Sequence, residues 1–256
     1  MKPSISVFFP CYNDAGTMGV MVMRAIQTLR EISDDYEVIV INNGSKDDSD
    51  LIVEELSRLY PNELRYETHP EALGYGGAVR AGFAKASKEW VCYTDGDAQY
   101  DVRELKVLAE KISGDVDFIN GWKIKRRDPV HRIWIGMAYQ YFVKAMFGLK
   151  IRDVDCDFRL MRREIFDVVQ LESTTGAITF ELVKKVQDAG YRFVEVPVRH
   201  FYRQYGVSQF FNFPRVARTL LALLRWWWRL VVKQEAINEY RGKRAAQRAS
   251  DLKPGI

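Results

Sequence analysis

Short apolar runs alternate with longer stretches in which apolar residues recur every three or four positions. Residues 5–9, 36–41, 64–68, 90–94 and 116–119 are rich in β-branched and aromatic types and stop at turn formers, so they predict strands. Between them, residues 18–32, 49–59, 78–86 and 102–112 carry helical spacing. Strands alternating with helices predict βαβ units and a mainly parallel sheet. Ligands of such sheets gather beyond the carboxyl ends of the strands. Residues 10–14, 42–47 and 94–101 are therefore the segments where chemistry is expected. The second half is less regular. Residues 133–149 predict an amphipathic helix with Trp134, Met137, Tyr141 and Ala145 on one stripe. Residues 165–169 and 178–189 predict helices, 193–198 a strand, and roughly 214–248 one long basic helix. No internal repeat or low-complexity linker interrupts this pattern, so one α/β domain over 1–212 is expected, with a helical tail over 213–256.

Composition narrows the class. Of 256 residues, 47% are hydrophobic and 28% charged, too apolar for a disordered chain. Three cysteines exclude a disulfide framework and point to a reducing compartment. The first residues run straight into a strand, so no signal-peptide core is expected, and no 18-residue uncharged apolar stretch predicts a membrane span. The net charge of +4 conceals an asymmetry. From Arg199 onward there are 12 Lys/Arg against 3 Asp/Glu, a balance of +9, while the preceding residues are net acidic. A basic tail on an acidic body calls for an anionic partner: membrane, nucleic acid or phosphorylated substrate.

The acidic turn after the fourth strand carries the sharpest chemistry. Asp95-Gly96-Asp97-Ala98-Gln99 follows an apolar run, and Gly96 is expected to let the turn bring both carboxylates to one side. Two carboxylates and an amide oxygen are hard ligands suited to Mg²⁺ or Mn²⁺, which bridges to substrate phosphates. An ordinary turn, with Asp101 capping the next helix, accounts for the same residues.

Its companions decide between them. Pro10-Cys-Tyr12-Asn13-Asp14 follows strand one, Asn42-Asn43-Gly-Ser follows strand two, and Gly74-Tyr-Gly76-Gly opens the third helix. Gly121-Trp-Lys123, Arg132, Asp153-Val-Asp-Cys-Asp-Phe-Arg159, Gly190-Tyr…Glu195-Val-Pro197 and Arg203-Gln-Tyr-Gly-Val-Ser208 complete the set. This order resembles family 2 glycosyltransferases of the GT-A fold, in particular the dolichol-phosphate mannose synthase branch of polyprenyl-phosphate glycosyltransferases. Five positions depart from that pattern: Asn42-Asn43 stands for Asp-Asp, Asp14 for Glu, Lys123 for Arg and Asp157 for Gly.

The resemblance implies a Rossmann-like, mainly parallel sheet flanked by helices, with an amphipathic C-terminal extension. It implies a metal-dependent, inverting hexosyltransferase that moves sugar from a nucleoside diphosphate, GDP or UDP, to a polyprenyl phosphate. The metal would be Mg²⁺ or Mn²⁺ on Asp95, Asp97 and Gln99. Pro10, Tyr12, Asn13, Asp14, Asn43, Gly76, Asp95 and Asp97 would bind the donor. Lys123 and Arg132 would take the acceptor phosphate, and Arg203 the donor pyrophosphate. The catalytic set is then Asp97, Arg132, Arg203 and, for a hydroxyl acceptor needing a base, Asp153. A soluble relative using such an acceptor, and a non-catalytic membrane-surface module, are the alternatives.

Other patterns carry less. Asp153-x-Asp155-x-Asp157 mimics a calcium loop, but Phe158 stands where that loop needs Gly. Cys11, Cys92 and Cys156 have no His at a metal or catalytic spacing and suit small buried thiols. The tail run around Trp226-Trp227-Trp228, flanked by Arg225 and Arg229, is too short and charged to span a bilayer but suits the headgroup boundary. Packing on the domain, or on a second copy, is the alternative. With phosphate as the recurring anion, no nucleic-acid partner is expected, and the chain is expected on the cytoplasmic face of the membrane as a peripheral protein.

Overall fold

A computed structural model describes residues 2–124, 130–203, 205 and 221–251, with the side chains of 130–133 and 247–251 outside that description. The strands are β1 (Ile5–Cys11), β2 (Tyr36–Asn43), β3 (Leu64–His69), β4 (Trp90–Tyr93), β5 (Phe118–Ile124), β6 (Arg159–Arg162) and β7 (Phe193–Arg199). The α-helices are α1 (Ala15–Ile32), α2 (Ser49–Leu59), α3 (Tyr75–Lys85), α4 (Leu105–Ala109), α5 (Val130–Phe147), α6 (Ile165–Val168), α7 (Ile178–Asp188) and α8 (Glu235–Asp251). Seven strands form one sheet in the order β3-β2-β1-β4-β6-β5-β7. All pairings are parallel except those of β6, which runs antiparallel to β4 and β5.

β1, β2 and β4 are buried along their whole lengths or nearly so, as strands covered on both faces must be. Phe8, Tyr93 and Phe83 pack edge-to-face or stacked on one face. Val7, Phe9, Trp90 and Cys92 join the core on the other, under α1. The chain leaves β1 toward β2 and β3, then returns to β4 on β1's other side. That reversal opens a crevice between the carboxyl ends of β1 and β4, where a ligand site belongs.

Three sequence expectations change. β6 was not expected: four residues, with buried Arg159 in the lead, form a strand because β4 and β5 each present an unpaired edge to it. The helix expected over 102–112 divides into a 3₁₀ turn, Val102–Glu104, and α4, with Asp101 Oδ1 capping the Arg103 amide at 3.1 Å. The long basic helix is broken. Helical residues 221–227 pass into a π-helical turn, Trp228–Val232, and Gln234, at φ 52°, ends it before α8. The tail is docked on the body: Leu223, Trp226, Leu230, Ala236 and Tyr240 enter the same core as Phe180 and Val186 of α7. Arg244 pairs with buried Asp117 at 2.7 Å.

Candidate functional site

The crevice is lined by carboxylates. Past β4, the Thr94 amide donates to the Phe8 carbonyl, and the chain turns through Asp95–Gln99. The left-handed residue of this turn is Ala98, at φ 58°, and not Gly96. Gly96 is needed for space instead: a β-carbon there would run into the Met18 methyl group and stand 3.2 Å from the Pro10 carbonyl oxygen. The turn leaves Asp97 only 3% exposed, its Oδ1 accepting the Gln99 amide at 3.0 Å. Asp95 Oδ1 accepts the Tyr75 hydroxyl at 3.0 Å.

The segment after β7 returns over this turn. Tyr100 and His200 form an antiparallel bridge, and the Phe201 amide donates to the Gln99 carbonyl at 2.8 Å. Gln99 Nε2 donates to the Phe201 carbonyl at 3.2 Å. The nitrogen end of the side chain expected as a third metal ligand thus ties down this segment. The segment delivers Arg203, whose Nη2 stands 2.5 Å from Asp97 Oδ2. It also lays the Tyr205 ring where a β-carbon on Gly16 would be, 2.4 Å from the ring.

The loops after β1 and β2 interlock. Asn13, at φ 56°, takes the Lys46 amide on Oδ1 at 2.7 Å and gives its own amide to Ser45 Oγ at 3.0 Å. Asp14 Oδ2 accepts the Tyr12 amide at 3.1 Å, and the Asp14 amide donates to Ser49 Oγ. Pro10 is buried opposite Ile41, whereas the Tyr12 ring is exposed. Asn42 and Asn43 use both ends of their amides. Asn42 donates to Asp50 Oδ1 and accepts from Ser45; Asn43 accepts from Leu73 at 2.7 Å and donates to the Gly74 carbonyl at 3.3 Å. A carboxylate has no donor for either role. The departure to Asn-Asn therefore fits loop closure, and Asn43, expected on the donor, is buried against residues 73–74.

Negative charge is in excess here. Burial, with Asp97 and Asp47 nearby, pushes Asp14 up to about 6. Burial and then Asp157 hold Asp95 well above the carboxylate range, and burial raises Asp97 although Arg203 opposes it. Asp157, which stands for Gly in the family pattern, is a further carboxylate of this cluster. Its Oδ1 accepts the Tyr93 hydroxyl at 3.0 Å. Fully buried Arg159 donates to the same hydroxyl oxygen, to Asn120 Oδ1, and to the Thr179 and Val154 carbonyls. Tyr75, Tyr93 and Asp157 are the site residues that sequence reasoning missed; the Asp157 departure was the available signal.

Two expected residues have other tasks. Lys123 Nζ, 9% exposed, donates to the Asp155 carbonyl at 2.5 Å and pairs with Asp153 at 3.5 Å. Asp153 accepts the amides of Lys123 and Asp155, each at 3.1 Å. The pair closes the 153–155 loop, so both side chains expected at the acceptor are engaged with each other and with this loop. The Arg132 side chain lies outside the described residues. Gly76 is buried at the start of α3, and all three cysteines are buried and unpaired.

An apolar surface completes the picture. The stripe of α5 faces solvent, with Trp134 68% exposed and Tyr141 and Phe142 more than half exposed. Leu221, Leu224 and Trp228 of the tail are likewise exposed, while Leu223, Trp226 and Leu230 are buried. The tail helix is therefore apolar on both faces. Between it and α5 lies a groove of about 460 Å³ lined by Phe142, Ala145, Met146, Leu224 and Trp227. No helix among the described residues is long and apolar enough to cross a membrane.

Comparison with known proteins agrees with this architecture. The model of glycosyl transferase family 2 matches residues 6–169. Glycosyltransferase AglD of Haloferax volcanii is 29% identical over 238 residues, covering 90% of this chain and 38% of its own length. Undecaprenyl-phosphate 4-deoxy-4-formamido-L-arabinose transferase of Proteus mirabilis is 24% identical, covering 80% of this chain and 62% of its own. The chain thus spans 38% and 62% of the lengths of these two relatives, less than two thirds of each. Glucosyl-3-phosphoglycerate synthase of Mycobacterium tuberculosis, solved with Mn²⁺, UDP-glucose and phosphoglyceric acid, superposes with a TM-score of 0.63 at 16% identity. It covers 87% of this chain and 78% of that one, and the shared fold is GT-A.

Proposed function

The chain belongs to glycosyl transferase family 2, and from that premise we propose that it transfers a sugar from a nucleoside diphosphate to a polyprenyl phosphate at the cytoplasmic membrane face. The observation that carries this reading is the juxtaposition of Asp95, Asp97 and Arg203 in the β1/β4 crevice of a body that also bears a continuous apolar face.

The residues present fit a divalent cation. Arg159 and Lys123 answer the charge of Asp157, but Asp14, Asp95 and Asp97 bring more negative charge than Arg203 offsets, and burial makes that excess costly without a cation. Among the described residues no three His, Cys, Asp or Glu side chains are gathered to hold a metal by themselves. Two carboxylates with the remaining positions left to phosphate oxygens and water is the arrangement Mg²⁺ and Mn²⁺ favour with nucleotides. Asp95 and Asp97 would hold the ion, which when bound offsets charge on the leaving diphosphate. The Mn²⁺ and UDP-glucose in the mycobacterial structure support this reading.

The protein's own groups supply the rest. Arg203 presents a guanidinium beside Asp97, placed to stabilise diphosphate oxygens as the glycosidic bond breaks. A phosphate acceptor is anionic at neutral pH and attacks without a general base, which suits the engaged Asp153. Direct displacement at the anomeric carbon inverts its configuration. The lipid chain would lie along the apolar face of α5 and the tail; the undecaprenyl-phosphate relative supports that acceptor class.

Incubation with GDP- and UDP-sugars, Mn²⁺ and a short polyprenyl phosphate is the test. Lipid-linked sugar that depends on metal and is lost in Asp97→Ala is the expected result. Transfer only to hydroxyl acceptors, or no donor turnover at all, would overturn the lipid reading or the enzymatic one respectively.

A further inference from the structure

The helix that exposes Trp228 is also joined to the acidic pair through an unbroken series of polar and backbone contacts. Arg229, next in sequence to that tryptophan, grips Glu172 with two parallel hydrogen bonds, Nη1 to Oε2 at 2.9 Å and Nη2 to Oε1 at 3.0 Å. Its Nε holds Glu235 at 2.7 Å, and its guanidinium lies 4.9 Å from the centre of the buried Trp226 ring. A planar fork held on all these sides has little freedom, so Glu172 is fixed relative to the tail.

Glu172 begins the loop that backs the third helix. Fully buried Glu181 accepts the amides of Glu172 and Ser173 at 2.8 and 2.9 Å, and Lys185 clamps Glu172 and Glu181 together. The loop then presses directly on the glycine turn before α3. The Gly76 amide donates to the Thr174 carbonyl at 3.1 Å. A β-carbon on Gly74 would sit 2.3 Å from the Thr174 oxygen, and one on Gly76 would sit 2.4 Å from the Ser173 oxygen. Backbone meets backbone with no side chain between to absorb a shift. Tyr75 stands between these two glycines, its ring against the core and its hydroxyl donating to Asp95 Oδ1 at 3.0 Å.

We infer that Arg229 and Glu172 are positioning residues for Asp95: the tail sets the 172–175 loop, the loop sets the Gly74–Gly76 turn, and Tyr75 sets the carboxylate. This deepens the proposed reading, because it rests on Asp95 being part of the donor-metal site. Displacing the loop by a fraction of an ångström moves the Tyr75 hydroxyl away from Oδ1, and a carboxylate without its donor is free to rotate out of a ligating geometry. The helix that presents the apolar face is thereby also a support of the acidic pair.

The test is a double-mutant cycle read on Mn²⁺ affinity, from the free-ion paramagnetic resonance signal in the presence of UDP and, separately, GDP. Arg229→Met and Tyr75→Phe are each expected to weaken Mn²⁺ about three- to tenfold, and the double variant no further than Tyr75→Phe alone. Arg229→Lys, which keeps the charge without the fork, should recover part of the loss. Glu235→Gln removes Arg229's other partner and leaves the path to Asp95 intact, so its Mn²⁺ affinity should match the wild type. If Arg229→Met fails to fold, Glu172→Gln takes its place in the cycle. Wild-type Mn²⁺ affinity in the Arg229 or Glu172 variant, fold-losses that multiply in the double variant, or an equal loss in Glu235→Gln would overturn the inference while leaving the metal site standing. Absence of Mn²⁺ binding by the wild type with either nucleotide would remove the metal site itself, and the inference with it.

Discussion

Arg203 and Asp97 meet at 2.5 Å although 106 positions of sequence separate them. Tyr100–His200 pairing and the Gln99–Phe201 hydrogen bonds bring the two segments together. The guanidinium pairs with a carboxylate that, on the proposed reading, would also hold the metal ion, so the two cations would repel each other. Arg203→Gln should tighten binding of Mn²⁺ alone by about tenfold, equivalent to removing roughly 1.4 kcal/mol of repulsion. The same change should slow sugar transfer by about 10²–10³-fold, since one donor to the leaving diphosphate is gone. Calorimetric Mn²⁺ titration and turnover measured on the same variant test both directions.

The glycine turn before α3 tolerates no side chain. Gly74 lies at φ 77° and faces the Thr174 oxygen. Gly74→Ala should destabilise the fold by about 2–4 kcal/mol through strain and backbone displacement. Gly114, with nothing within 4 Å of a would-be β-carbon, is the control: Gly114→Ala should change stability by no more than about 0.5 kcal/mol. Denaturant unfolding of the two variants provides the comparison.

The three consecutive tryptophans have separate consequences. Trp226 is 8% exposed and stacks with Lys185 and Arg229, so Trp226→Ala should cost about 3–5 kcal/mol of stability. Trp228 is 53% exposed, and Trp228→Ser combined with Leu224→Ser should leave the unfolding transition in place. If the apolar face meets lipid, that double variant should sediment less with anionic vesicles than the wild type. A wild-type dimer in analytical ultracentrifugation that the variant lacks would instead assign the face to a second copy.

Glu172 gives the tail a pH signature. Arg229 and Lys185 hold its carboxyl down to about 2, below the usual glutamate value. A depressed carboxyl stabilises the fold at every pH above its unfolded pKa, and that contribution fades as pH falls from about 4.5 toward 2. Wild type and Arg229→Met should therefore differ by a constant margin above about pH 5.5 and converge below 4.5. Thermal unfolding across that range reads the margin directly.

Much of this was legible in the chain itself. Alternating apolar runs and helical spacing determined an α/β sheet, and the strand ends at 10–14, 42–47 and 94–101 are where the crevice residues lie, because local periodicity reflects which face each segment buries. The Asp95–Asp97 pair was visible because it sits in a few consecutive residues. What only the tertiary structure decided are relationships between distant segments. β6 forms because two open sheet edges meet Arg159–Arg162, and the tail helix breaks at Gln234 because docking on α7 dictates its course. Lys123, Asp153, Gln99 and Asn43 carry the right chemistry for a substrate, yet each is drawn into a loop closure whose partner lies about 30 or more positions away for all four. Tyr75, Tyr93 and Asp157 join the acidic cluster only through folding, and no spacing along the chain encodes such a meeting. A side chain's chemistry is written in its residue type, whereas its availability depends on which partners the fold brings within hydrogen-bond reach.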